Sequence, residues 1–277
     1  MAAKLDWGHY APPRASFPLR VLIAMGLARG KVRKMILRKW KDCFGPMVDL
    51  EVSGIKFRLN LHDNVTDGRI LTSLKRYDRL ELQMLENACK DDGLFIDLGA
   101  NTGLYTLTLA MAGSRVIAIE PNPKTIARLN FNVSINDFSN RVTIIPFGVG
   151  EKGEFELIST GDLGSATLSQ KVSSKNESVT VSVFPLLELL VENKVEKLDG
   201  IKIDIEGMED RALLPFFRLA PPALWPRCLV IEHCNRQLWK HDVIQSMQKN
   251  GYKTVCKNRS NTILEKTKLH STPWSCQ

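Results

Sequence analysis

Two stretches carry residue types that could bind a small charged ligand. Phe95-Ile96-Asp97-Leu98-Gly99-Ala100-Asn101-Thr102-Gly103 is an apolar strand running into a glycine turn. Val116-Ile117-Ala118-Ile119-Glu120-Pro121-Asn122 is a second apolar strand that ends in an acid. With a helix between them they form half of a nucleotide-binding α/β unit, and Glu120 is placed to hold ribose hydroxyls, with Asn122 beside it. The glycines are spaced G-x-x-x-G, at Gly99 and Gly103. A dinucleotide fingerprint needs a further glycine where this chain has Asn101, whose side chain crowds a pyrophosphate. A smaller zwitterion such as S-adenosylmethionine fits the turn better. Asp97 can take the ammonium of that ligand, directly or through water. Backbone N–H groups of the turn and helix start, Ala100 to Gly103, can meet its carboxylate. Gly99 lets the backbone pass close to the ligand.

Three more strand ends bear on the chemistry. The third closes at Ile145-Pro146-Phe147-Gly148-Val149-Gly150, an edge that flanks an adenine in this architecture, with Gly148 offering backbone and Val149 apolar contact. The fourth ends in Lys202-Ile203-Asp204-Ile205-Glu206-Gly207-Met208-Glu209. Alternation sends Lys202, Asp204 and Glu206 to one face. A strand buried on both faces does not normally carry three charges, so they gather at the carboxyl edge, where open α/β sheets bind ligands. Glu209 reads instead as a helix-entry acid. The fifth ends in Val230-Ile231-Glu232-His233, and His233 is the only histidine at such a strand tip. Asp204 and His233 are the candidate bases, with Glu206 orienting one of them or binding a substrate hydroxyl. Lys202 and Glu232 are candidate contacts to a second substrate. No spacing of histidines or cysteines suggests a metal, and no phosphate loop of the G-x-x-x-x-G-K-[ST] type is present.

The elements that position these residues are legible from periodicity. Strands are predicted at 94–98, 115–120, 142–147, 199–204 and 228–232, and helices at 103–112, 123–136, 208–217 and 237–249. Such alternation implies a parallel sheet wrapped on both faces. Tyr252–Cys256 and Thr262–Leu264 suggest a closing antiparallel pair, and 149–184 an inserted hairpin followed by a helix at Leu186–Glu192. Val48–Val52 and Ile55–Leu59 alternate around Ser53-Gly54, a hairpin signature. Tyr77–Lys90 reads as a helix. The resulting division is a basic helical arm (1–45), a hairpin and helix (46–92), the main domain (93–268) and a tail (269–277). At 277 residues the chain can bury a full core.

The net charge of +8 lies wholly in the arm, which holds ten Lys/Arg against Asp6 and Asp42. Residues 17–43 read as one or two helices, apolar first and then basic, with Gly26 and Gly30 as breaks. One reading is an interfacial helix, with Leu22, Ile23, Met25 and Leu27 among headgroups and the basic residues facing anionic lipid. The other is a helix packed on the domain with a solvated basic face. The neutral remainder argues against a nucleic-acid partner. The longest apolar run near the start, Val21 to Ala28, is too short to span a bilayer. Six cysteines without C-x-x-C spacing, and no convincing signal-peptide cleavage site, suggest a reducing, cytoplasmic location.

Taken together these motifs resemble the FkbM family of S-adenosylmethionine-dependent methyltransferases. That family's pattern runs D-x-G-A-N-x-G, E-P-N, an N near the helix end, K-x-D-x-E-G-x-E and E-H. It is met here by Asp97–Gly103, Glu120–Asn122, Asn130 or Asn132, Lys202–Glu209 and Glu232-His233. Gly164-Ser165-Ala166-Thr167-Leu168 is similar to an element of the family's insert, a resemblance that makes Ser165 a further candidate contact to the second substrate. One departure is Tyr77-Asp78, where the family often has Tyr-Glu. The resemblance implies a Rossmann-like class I methyltransferase: an α/β fold whose mostly parallel seven-stranded sheet has an antiparallel closing strand and helices on both faces. It also implies O-methylation of a sugar, glycan or polyketide-type acceptor. Two other function classes are a catalytically inactive cofactor-binding partner docked at a membrane and a nucleic-acid methyltransferase.

Overall fold

The computed structural model describes residues 5–73, 77–158, 163, 167–169 and 178–267. The chain opens with α1 (Phe17–Ala24) and α2 (Gly30–Phe44), separated around Gly26 as the sequence predicts. β1 (Met47–Val52) and β2 (Ile55–Asn60) pair antiparallel across Ser53-Gly54. α3 (Val65–Ser73) and α4 (Arg79–Ala88) lead to β3 (Leu94–Leu98), α5 (Leu104–Met111), β4 (Arg115–Ile119), α6 (Pro123–Ile135) and β5 (Val142–Ile145). The inserted segment forms β6 (Gly148–Val149), β7 (Gly153–Ile158), β8 (Thr167–Ser169) and β9 (Ser178–Phe184). α7 (Leu186–Glu192), β10 (Gly200–Ile203), α8 (Glu209–Leu219), β11 (Cys228–Glu232), α9 (Val243–Lys249), β12 (Tyr252–Lys257) and β13 (Asn261–Lys266) complete the chain.

The main sheet has the order β12-β13-β11-β10-β3-β4-β5. The five strands from β11 to the β5 edge run parallel, and β13 lies antiparallel between β11 and β12. This is the expected class I methyltransferase sheet, with its single reversed strand. Strand parity builds two cores. Leu94, Ile96 and Leu98 join the cluster under α7, α8 and α9, whereas Phe95 joins the one under α4, α5 and the β1–β2 hairpin. Asp97 shares the second face, which aims its carboxylate at α5 rather than into solvent.

The inserted segment is more than the expected hairpin. β7 and β9 pair antiparallel, but β9 also returns parallel to β6, with Gly148 opposite Val183, giving a four-stranded sheet β6-β9-β7-β8. This ties the insert to the tip of the third main strand. The predicted helix at 237–249 begins only at Val243, because the Asp242 carboxylate accepts from the Gln245 N–H and caps it there.

The basic arm is part of the main core. Trp40 of α2 is 1% exposed and belongs to the same apolar cluster as Phe57, Ile70 and Phe95. Lys31, Lys34, Arg38 and Lys39 lie on its solvent side. Among the described residues no helix is long and apolar enough to cross a membrane. The hairpin is pinned by α6: Asn132 and Asn136, one turn apart, accept from the Arg58 and Lys56 N–H groups at 2.8 Å each. Asn132 also donates to the Thr102 carbonyl at 2.9 Å, whereas Asn130 bonds its own helix at Ile126. Of the two asparagines, Asn132 is the one that steadies the turn that follows β3.

Candidate active site

Gly99 sets the geometry of the turn. A Cβ there would stand 2.0 Å from the Asp204 carbonyl oxygen, and φ is +78°. Only a glycine lets the loop after β10 lie against the loop after β3. Asn101 takes a left-handed φ of 51°, and its side chain accepts from Asn64 Nδ2 at 2.6 Å. Gly103 closes the turn by donating to the Ala100 carbonyl, and it faces Leu129.

Glu120 ties this turn to the next. Its Oε2 accepts from the Asn101 N–H at 3.0 Å and its Oε1 from the Asn122 N–H at 2.9 Å. It lines a slot with Gly99, Asn101, Gly148 and Val149, whose apolar wall includes Ile119, Phe147, Leu157 and Leu163. Leu157 and Leu163 come from the insert, so the small sheet covers the slot. A recess with apolar walls and a buried carboxylate suits a purine and its ribose, and these residues fit S-adenosylmethionine. Asn122 itself does not line the slot. Its side chain accepts from the Lys124 N–H and caps α6.

A second cleft of about 230 Å³ opens on the other side of the same loops. Asp204 and Glu206 line both spaces, as do Gly99 and Asn101. The second cleft also takes in Asp97, Ala100, Lys202, Glu232 and Asn261, with Arg69, Tyr77, Asp78 and Tyr105, which the sequence did not single out as site residues. Only the Tyr77-Asp78 departure pointed to that corner. Tyr105 donates to Asp78 Oδ2 at 2.9 Å.

Lys202 is the hub. Its Nζ lies 3.2 Å from Asp204 Oδ2 and 5.4 Å from the Tyr105 ring centroid. Burial alone would lower its pKa, but Asp204, Asp78 and Asp97 more than offset this and hold it above the usual lysine value. The Glu206 carboxylate accepts from Asn235 Nδ2 at 2.7 Å, on a residue with φ of +56°. Glu209 clamps that strained loop: Oε1 accepts from the Ile205 and Gly207 N–H groups, and Oε2 from Trp239 Nε1. Its work is structural.

His233 does not reach the cleft. Glu232 and Cys234 line it, and alternation turns the residue between them away. The imidazole Nδ1 lies 3.1 Å from Thr262 Oγ1, and burial, with Lys257 and Arg236, lowers its pKa. Ser165 lies outside the described residues.

Burial pushes the Asp97 carboxyl up to about 6, against its bonds from Thr106 and the pull of Lys202, and Glu120 up to about 7. Asp97 lines the second cleft rather than the slot, which leaves Glu120 as the carboxylate expected to meet the ribose, in its ionised form. Affinity for S-adenosylhomocysteine is therefore expected to rise as pH increases through about 7, with proton release visible by calorimetry in buffers of different ionisation enthalpy. A flat affinity from about pH 5 to 8 would refute this. In the free protein the sign reverses. Both groups hold protons more tightly folded than unfolded, so the stability they add is complete below about pH 4 and is lost as pH rises through about 6 to 7.

Replacing Glu120 with alanine removes the ribose partner. The expected loss in cofactor affinity is about 1.5–3 kcal/mol, roughly 10–100-fold, read by calorimetry. Since Glu120 also ties two backbone N–H groups, Glu120→Gln serves as the milder variant. A well-folded Glu120→Ala protein with unchanged affinity would show that the carboxylate does not meet the ligand.

Comparison with known proteins gives a consistent picture. Residues 97–272 match the family model described as the methyltransferase FkbM domain. No curated protein matches the sequence significantly. Among solved structures, an rRNA methylase from Streptococcus thermophilus is similar at 12% identity and a TM-score of 0.44, over 70% of this chain and 98% of that one. A human methyltransferase 10 domain containing protein gives 14% and 0.44, over 84% and 93%. A SAM-dependent methyltransferase from Agrobacterium tumefaciens gives 16% and 0.41, over 69% and 54%. The strand order, rather than these distant likenesses, identifies the fold.

Proposed function

Because the chain belongs to the FkbM methyltransferase family, we propose that it is an O-methyltransferase acting on a hydroxyl of a polyhydroxylated acceptor, a sugar or glycan or a polyketide-type small molecule. The methyl donor is S-adenosylmethionine, which when bound supplies a methyl group already activated by its sulfonium. The protein's own task is then alignment and proton removal. An alcohol is a weak acid, so a base must act as the new bond forms. The observation that carries this reading is that Asp204 lines both the cofactor slot and the acceptor cleft. Its side chain is 42% exposed, within reach of a bound hydroxyl, and the Lys202 ammonium steadies it. Glu206, on the same boundary, is anchored by Asn235 and suits an orienting role.

Two buried acceptor atoms favour a polyhydroxyl over a single alcohol. Glu232 Oε2 and Asn261 Oδ1 meet no hydrogen-bond donor among the described residues, and both side chains line the cleft. Burial and the nearby Asp204 raise the Glu232 pKa. Each atom gains by accepting from a ligand hydroxyl. The neutral charge of residues 46–277 supports a small acceptor rather than a nucleic acid. The exposed Phe17, Met25 and Leu27 beside the basic face of α2 support peripheral contact with an anionic membrane from the cytoplasmic side.

The reading is tested with methyl-labelled S-adenosylmethionine and a panel of glycosides, polyols and hydroxylated lactones, the product bond being identified by mass spectrometry. Label on a hydroxyl oxygen supports it. Label confined to nucleic acid or to nitrogen overturns it.

A further inference from the structure

A large apolar groove of about 780 Å³ lies under α1, between the hairpin and α3. Phe17 and Val21 of α1, Trp40 of α2, Val52 of β1, Leu71 of α3 and Tyr77 form its walls. The volume is that of a small-molecule site. Tyr77 is common to this groove and the acceptor cleft, so the two spaces share a wall. Arg69 stands at that seam. It lines the cleft, donates to the Tyr77 hydroxyl at 2.8 Å, and lies over the same ring at 5.4 Å from the centroid. Among the described residues it makes no ion pair within 4 Å, although, against the effect of burial, Tyr77, Asp78 and Asp204 raise its pKa. A guanidinium with most of its donors open matches an anionic phosphate-type group. Arg20 and Arg29 line the groove as well, with Glu51 as the acid among its lining residues.

We propose that the methyl acceptor is an anionic amphiphile, with a hydroxylated head in the cleft, a phosphate-type group at Arg69 and an apolar chain in the groove under α1. This rests on the reading of the cleft as the acceptor site. Three kinds of surface adjoin around Tyr77: a hydrogen-bonding cleft, a guanidinium with open donors and an apolar groove. Neither the arm nor the hairpin is needed to close the methyltransferase sheet, and together they build the channel.

Lysophosphatidylinositol carries all three parts and serves as the probe, titrated by calorimetry into the full chain below its micelle-forming concentration. Ala24→Trp fills the groove from a solvent-facing helix position, and Arg69→Gln removes the anion partner. Each is expected to weaken binding by about 10–100-fold. Inositol phosphate, which lacks the chain, is expected to bind at least about tenfold more weakly than the lipid. S-adenosylhomocysteine binding, measured on the same samples, is expected to be unchanged in both variants and reports that they fold. Absence of saturable lipid binding in a wild-type protein that binds S-adenosylhomocysteine would overturn the groove alone. So would equal lipid affinity in Ala24→Trp. Binding to phosphatidylglycerol vesicles without binding of dispersed lipid would also overturn it, assigning α1 and α2 to a membrane surface. A wild-type protein that fails to bind S-adenosylhomocysteine would remove the methyltransferase reading and this inference with it.

Discussion

Asp204→Asn is expected to lower methyl transfer by about 10²–10⁴-fold, the range lost with a general base. The asparagine keeps the shape of the side chain and one carbonyl oxygen toward Lys202, but it cannot accept the hydroxyl proton. Its cofactor affinity should change by less than about twofold, because the interaction removed is made only as the bond forms. Single-turnover assays with labelled donor separate the two quantities. His233→Ala is the informative control. Its ring bonds Thr262 and does not line the cleft, so turnover should stay near wild type. Normal turnover in Asp204→Asn, with loss in Glu206→Gln, would move the base to Glu206. Loss in His233→Ala alone would return it to the histidine.

Lys202→Met is expected to destabilise the fold by about 3–5 kcal/mol, nearer the lower figure because Asp204 is partly exposed to water. The Lys202 side chain is 4% exposed. Its ammonium is the charge that Asp78, Asp97 and Asp204 share, and a methionine of similar length leaves them facing one another. Burial already raises the pKa of Asp78 and Asp97, with Lys202 as a countering influence on each. Without it both should bind protons still more readily, so the defect should shrink as pH falls and those protons are taken up. Urea unfolding at pH 5 and 8 reads this, and adding Asp78→Asn to Lys202→Met should restore part of the loss. A change below about 1 kcal/mol at neutral pH would mean that the acids do not depend on the lysine.

The sheet and the turn residues that line the first slot were legible in the sequence. β3 and β4 are short apolar strands whose ends carry Gly99, Asn101 and Glu120, and a strand-turn-helix unit of this kind brings its own loop residues together without help from distant parts of the chain. Lys202, Asp204 and Glu206 were legible for the same reason, since two-residue alternation fixes a shared face. The lining of the second cleft was not legible, because it depends on how separate elements close on one another. His233 and Glu232 are neighbours at one strand tip, yet alternation past the end of β11 admits the glutamate to the cleft and turns the histidine away. Asn122 sits in the expected motif but spends its side chain on a helix cap. Arg69, Tyr77 and Asp78 precede the sheet in the chain and face it only because α3 and α4 fold over it. Asn261 belongs to the cleft because β13 inserts beside β11, where its amide donates to Glu81, 180 residues away in sequence. The basic arm read equally well as a membrane helix or a packed one, since one amphipathic pattern serves both, and the burial of Trp40 beside Phe57 and Phe95 showed that it shares the core. Local pattern encodes the backbone path and the facing of each strand. Which side chains from separate elements meet depends on how those elements close on one another, and that is a property of the assembled core.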